Sequence, residues 1–182
     1  MKRSGKDSSD RRVRWCVFDT PLGPCGIAWT AEGLLRLQLP EGSRDATRRR
    51  LLAGLAGATE VGRPAPWVRS LTALVQRHLS GSPQDFSGVP VDFAGASPLA
   101  RAVWRAARGV AAGRTASYGE LARAVGKPGA ARAVGSAMAR NPVALVVPCH
   151  RIVAADGSMH GFSAHGGVAT KRLLLRLETV AR

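Results

Sequence analysis

Cysteine is scarce in this sequence, and its scarcity sets the first limit on what the chain can be. Three cysteines among 182 residues are an odd number, and no secretory signal precedes them, so no disulfide framework is expected. Cys16 and Cys25 have neither a CxxC partner nor a histidine pair beside them. They read as small buried hydrophobes, with two ligands of a structural metal as the alternative; no metal is expected. No apolar run is long enough to span a membrane. Residues 1–14, MKRSGKDSSDRRVR, lack the apolar stretch of a signal peptide and read as a disordered basic tail, which points to a cytoplasmic protein. Acidic residues are few as well, 12 against 27 lysines and arginines, for a net charge of +15.

What is present is unevenly spread. Residues 97–182 hold 13 basic and 3 acidic side chains, whereas residues 15–96 hold 8 and 7. Positive charge concentrated in one half suits a polyanionic partner such as nucleic acid. Coding bias is the alternative, because arginine (23) far outnumbers lysine (4). The length allows one large domain or two small ones, and 45% hydrophobic residues suffice for a core.

Strands are expected at Trp15–Phe18, Cys25–Thr30 and Leu34–Leu39, separated by turns at 19–24 and 31–33. Helices follow; in one, Trp67, Leu71, Leu74, Val75, His78 and Leu79 recur at helical spacing before Gly81. His78 on that face reads as a core residue rather than a ligand. A short strand at Val89–Phe93 closes this near-neutral unit, 15–95. The second unit, 96–182, opens with Ser97-Pro98, an N-cap before the favoured first helical residue. Leu99, Val103, Trp104, Ala107 and Val110 form its stripe. Ser117-Tyr-Gly-Glu120 fits a capping box and starts a helix that runs to Val125, stopped by Gly126. A turn at Lys127–Gly129 leads to a helix over Ala130–Arg140, ended by Asn141-Pro142. Two short helices around a glycine-containing turn match a helix-turn-helix.

Between Arg132 and Arg140 that last helix carries only Ala133, Val134, Gly135, Ser136, Ala137, Met138 and Ala139. Small side chains let a backbone approach a surface closely. Docking in a DNA groove and tight packing inside the protein fit this composition equally. Val143–Val147 is apolar throughout and reads as a buried strand. It ends at Pro148-Cys149-His150-Arg151. A thiol beside an imidazole in an arginine-rich region is placed for thiolate formation, with positive charge lowering its pKa; a merely buried cysteine is the alternative.

The ordered series Ser117-Tyr118-Gly-Glu120, Arg132-Ala-Val-Gly135, Asn141-Pro142, Val147-Pro-Cys-His-Arg-Ile152, Gly161-Phe-Ser163, Gly166-Gly167, Lys171, Leu173-Leu174 and Glu178 resembles the methylated-DNA–protein-cysteine methyltransferases (O6-alkylguanine-DNA alkyltransferases). The resemblance covers about residues 97–180, and Thr20–Pro24 is similar to that family's first turn. It implies an α/β (α+β) protein with a small RNase H-like N-terminal sheet domain and a mostly helical C-terminal domain. It implies that Cys149 accepts the alkyl group, that His150 is its base through water, that Glu178 orients His150, and that Asn141 braces the preceding turn. Tyr118, Pro148, Ile152, Phe162 and Ser163 would line the pocket for a flipped guanine, with Tyr118 and the Ser163 N–H as donors and carbonyls near Cys149 and Ile152 as acceptors. Arg132 would fill the vacated stack, with a phosphate contact as its alternative. Ala133, Val134, Gly135, Ala137, Arg140 and Arg151 would join it at the DNA surface.

The implied partner is double-stranded DNA carrying O6-alkylguanine, met by a monomer with no cofactor. A thioether product has no easy route back to thiol, so the protein would be consumed. Phe162 stands where relatives often have tyrosine, and Ala164-His165 lengthens the loop before Gly166. Three rivals remain: a non-catalytic binder of alkylated DNA, which Cys149 opposes; a transcription regulator, for which no effector domain is apparent; and a thiol hydrolase, which a DNA-docking helix does not suit.

Overall fold

The computed structural model describes residues 12–159 and 161–179; most of the expected N-terminal tail, residues 1–11, lies outside them. Among the described residues the fold is mixed α/β, a small four-stranded sheet and a two-stranded one with six α-helices. Strands β1 (Arg14–Thr20), β2 (Gly23–Thr30), β3 (Gly33–Gln38) and β4 (Thr59–Glu60) form a sheet in the order β3-β2-β1-β4. β1 and β2 make a hairpin in which Thr20 faces Gly23, so only Pro21 and Leu22 turn the chain, and Gly23 adopts a φ of 116° that glycine tolerates best. Gly33 is required for a second reason. A Cβ there would stand 2.6 Å from the Pro90 carbonyl oxygen.

Alternation along β2 covers both faces of the sheet. Cys25, Ile27 and Trp29 enter the main core, while Ala28 packs with Trp15 and Leu51 beneath α1 (Arg44–Leu52). Helix α2 (Pro66–Leu79) turns Val68, Leu71, Val75, His78 and Leu79 inward. The same core continues through α3 (Pro98–Ala107), α4 (Tyr118–Ala124) and α5 (Ala131–Ala139) to Leu174 of α6 (Gly167–Thr179). The capping box at Ser117 and Glu120 closes both of its bonds, and Ser97 caps α3. No described helix is long and apolar enough to cross a membrane.

Two expected strands are not strands. At Val89–Phe93 only Val91 bridges to Leu34. Pro90 has no N–H to give to a ladder, and Asp92 turns its carboxylate to Thr30 Oγ1 (2.8 Å) and the Ala94 N–H (3.0 Å). At Val143–Val147 the chain makes a compact turn, with Leu145 at φ 66°. Asn141 closes it from inside, donating to the Val147 carbonyl at 2.7 Å and accepting from the Val143 N–H at 3.0 Å. This turn docks on β3, where the Leu37 N–H donates to the Pro142 carbonyl. A fully buried apolar run has the same composition in either conformation. Beyond it, β5 (Ala116–Ser117) and β6 (Ile152–Val153) pair in parallel and bring Tyr118 beside the segment that follows Cys149.

Candidate active site

Cys149 opens a 3₁₀ turn, Cys149–Arg151, held between the Asn141-closed turn and β6. Its side chain reaches a cavity of about 660 Å³ walled by Tyr118, Arg132, Gly135, Met138, Phe162 and Ser163 among others. Both α5 and the 161–163 loop contribute to its walls. The cavity is large enough for a planar ring system and lined mainly by apolar atoms.

Behind the cavity lies a buried polar cluster. His150 Nε2 is 2.8 Å from Glu178 Oε1, and both side chains are fully buried. Arg151 donates from Nε to both carboxylate oxygens at 3.1 Å, from Nη2 to Oε1 at 2.7 Å, and from Nη1 to the Val110 carbonyl at 2.6 Å. The Gly113 N–H donates to Oε2 at 3.1 Å. With Nε2 committed to Glu178, His150 Nδ1 remains as a buried nitrogen without a hydrogen-bond partner among the described residues.

Burial alone would raise the Glu178 carboxyl, but hydrogen bonds from His150 and Arg151, with the His78 imidazole close by, outweigh it and hold it far below the usual carboxylate range. Burial lowers His150, partly opposed by Glu178. Burial raises the Cys149 thiol, against a hydrogen bond from Asn141, the charge of Lys171 and the Cys149 and His150 backbone N–H groups. This reverses the sequence expectation for the resting thiol: desolvation exceeds the positive charge around it. Tyr118 is also raised, first by burial and then by Cys149, so its hydroxyl stays a donor.

Several expected positions lie elsewhere. Arg151 is 6% exposed and spends its guanidinium on Glu178, so it cannot face DNA. Val134 and Ala137 point into the core, at 0% and 1% exposure, where Trp104 Nε1 donates to the Ala137 carbonyl at 3.0 Å. The outward face of α5 is Arg132, Ala133, Ser136, Ala139 and Arg140. One side of the helix is thus packed and the other presented, which combines the two readings of its composition. Pro148 lines a different cavity with Arg108 and Arg151. Ile152 is buried, and its carbonyl accepts from Lys171 Nζ. Sequence reasoning gave no role to Lys171, which is 1% exposed, and took His78 for a core residue. The available signal was a lysine and an acid, Lys171 and Glu178, on the same helical face as Leu174.

Comparison with known proteins converges on one family. The family model described as "6-O-methylguanine DNA methyltransferase, DNA binding domain" matches residues 98–180. The chain is 37% identical to the methylated-DNA–protein-cysteine methyltransferase of Mycobacterium leprae, over 88% of this chain and 89% of that protein. It is 34% identical to that of Mycobacterium tuberculosis, over 91% and 92%. Its fold is similar to the crystal structure of Mycobacterium tuberculosis OGT in complex with DNA, with a TM-score of 0.73, 33% identity, and coverage of 92% and 93%.

Proposed function

Because this chain belongs to the methylated-DNA–protein-cysteine methyltransferases, as its identity to full-length relatives shows, we propose that Cys149 is the acceptor through which it works. The protein repairs DNA by transferring an alkyl group from O6-alkylguanine to its own cysteine. The observation that carries the assignment is a single arrangement. The Cys149 side chain reaches a cavity beside α5, and the neighbouring imidazole has one nitrogen tied to a buried carboxylate and the other unengaged among the described residues.

His150 Nδ1 takes the Cys149 proton through a water, and Glu178 stabilises the imidazolium that forms. Because burial keeps the resting thiol protonated, thiolate forms on demand. Sγ then attacks the alkyl carbon; the S–C bond forms as the C–O6 bond breaks, and the electron pair leaves on guanine. Tyr118 donates to the base and the Ser163 N–H approaches O6, and both favour the charge that develops on guanine; Lys171 adds positive charge near the sulfur and favours formation of the thiolate. Asn141 holds the turn that carries Cys149 into place.

DNA is the partner. We assign its docking to the outward face of α5, the second helix of a helix-turn-helix with α4, with Arg132 and Arg140 at its ends. The target base must leave the stack to reach the cavity, and Arg132, at the cavity rim, fills its place. A monomer suffices for this chemistry. The test is Cys149→Ala: it should bind duplex DNA containing O6-methylguanine yet take up no label, and a labelled alanine variant would end the assignment.

A further inference from the structure

Transfer as derived above uses side chains from the second half of the chain and leaves one buried imidazole without a task. We propose that His78, on α2, is a positioning residue for the reaction: it backs Glu178 and keeps Oε1 facing His150. The inference rests on the assignment of Cys149, His150 and Glu178 as the transfer machinery.

The His78 side chain is fully buried and is held on several sides. The Gln84 N–H donates to its Nδ1 at 3.1 Å, which leaves the ring proton on Nε2. Phe86 packs against the ring with centroids 5.2 Å apart, and the His150 ring meets it edge-on at 6.5 Å. Nε2 then stands 3.1 Å from Glu178 Oε1, off the N–H axis and short of an in-line hydrogen bond. Oε1 therefore sits between two imidazoles. Arg151 holds the carboxylate from a third side, and the Gly113 N–H holds Oε2.

A carboxylate backed in this way cannot swing away from His150 as that ring gains a proton. The choice of residue matters too. A neutral imidazole edge places a polar hydrogen beside the oxygen without cancelling its charge, which a second arginine at this place would do. The contact also ties the first half of the chain to the chemistry: α2 lies far from Cys149 in sequence, and through His78 it meets Glu178 and the edge of the His150 ring.

The test uses the full-length protein, with transfer from the free base O6-benzylguanine to Cys149 resolved into a rate constant and a dissociation constant. His78→Asn keeps an acceptor for the Gln84 N–H but withdraws the edge beside Glu178; His78→Gln extends an amide back to it. The asparagine variant should slow the rate constant about tenfold, less than the ~10²–10⁴-fold of losing the base or its orienter, with the dissociation constant unchanged. The glutamine variant should recover most of that loss. In a Glu178→Gln background His78→Asn should have no further effect, since the two side chains act as one unit. His78→Phe, which keeps the packing on Phe86, replaces the asparagine variant should the latter not fold. A wild-type rate, or an equal slowing in both backgrounds, overturns the proposal. Glu178→Gln transferring at the wild-type rate would instead overturn the underlying assignment.

Discussion

Replacing Glu178 with glutamine should weaken the fold and the chemistry together, with a pH signature that separates the two. The carboxylate is fully buried and accepts from Arg151, His150 and the Gly113 N–H. Glutamine keeps the shape and removes the charge. Arg151 is then left buried, with the Val110 carbonyl as its main remaining partner. Removing one member of a buried ion pair costs about 3–5 kcal/mol, a large part of the ~5–15 kcal/mol that holds a domain folded. The folded Glu178 carboxyl is depressed: burial would raise it, but hydrogen bonds from His150 and Arg151, with the His78 imidazole close by, outweigh that, whereas an unfolded glutamate titrates near ~4.3. Its contribution is therefore complete above about pH 5 and is lost progressively as pH falls below the unfolded value. Burial depresses His150 as well, so its contribution begins to fall at about the unfolded histidine value of ~6.5. Urea unfolding of both forms across this range should show wild type far more stable at neutral pH, with the gap closing below about pH 4. Transfer by the folded variant should be ~10²–10⁴-fold slower. Equal stability at neutral pH, or a gap that persists unchanged into acid, would refute the buried-pair argument.

Arg132→Ala should slow transfer from duplex DNA far more than transfer from free O6-benzylguanine, because only the duplex requires the base to be extruded; equal losses would rule out that role. Ala133→Glu, on the outward face of α5, should weaken duplex binding through charge and bulk while leaving the melting temperature near wild type. Ala137→Glu should instead unfold the protein, since Ala137 is 1% exposed, and a stable Ala137→Glu protein would contradict the packing. Burial pushes Cys16 up to about 11 and Cys25 up to about 12, so both thiols should stay unlabelled by iodoacetamide near neutral pH, and Cys16→Ala and Cys25→Ala should keep full transfer.

Local signals survived well from sequence to structure. The Ser117–Glu120 capping box, the Ser97-Pro98 helix start and the β1–β2 hairpin each depend on residues within a few positions of one another, where spacing constrains conformation directly. What was not legible depends on partners from far along the chain. Arg151 looked like a surface cation, because its burial is decided by Glu178 on α6. Val134 and Ala137 could not be told from Ala133, since a helix of small residues has too little contrast to reveal its inner face. Val143–Val147 is apolar whether strand or turn, and the deciding group is the Asn141 side chain. The pairing of His150 with Glu178 was expected only through family resemblance; no spacing rule connects them. His78 joins the same carboxylate from the other half of the chain, which neither periodicity nor the resembling motifs signalled.

The most direct measurement of the central claim is intact mass and peptide mapping after incubation with excess duplex DNA carrying O6-methylguanine. Each protein molecule should gain one methyl group, on Cys149, and consumption of lesions should stop at one per protein, because the thioether has no route back to thiol. Repeated turnover, or methyl recovered on Cys16 or Cys25 with Cys149 unmodified, would contradict it.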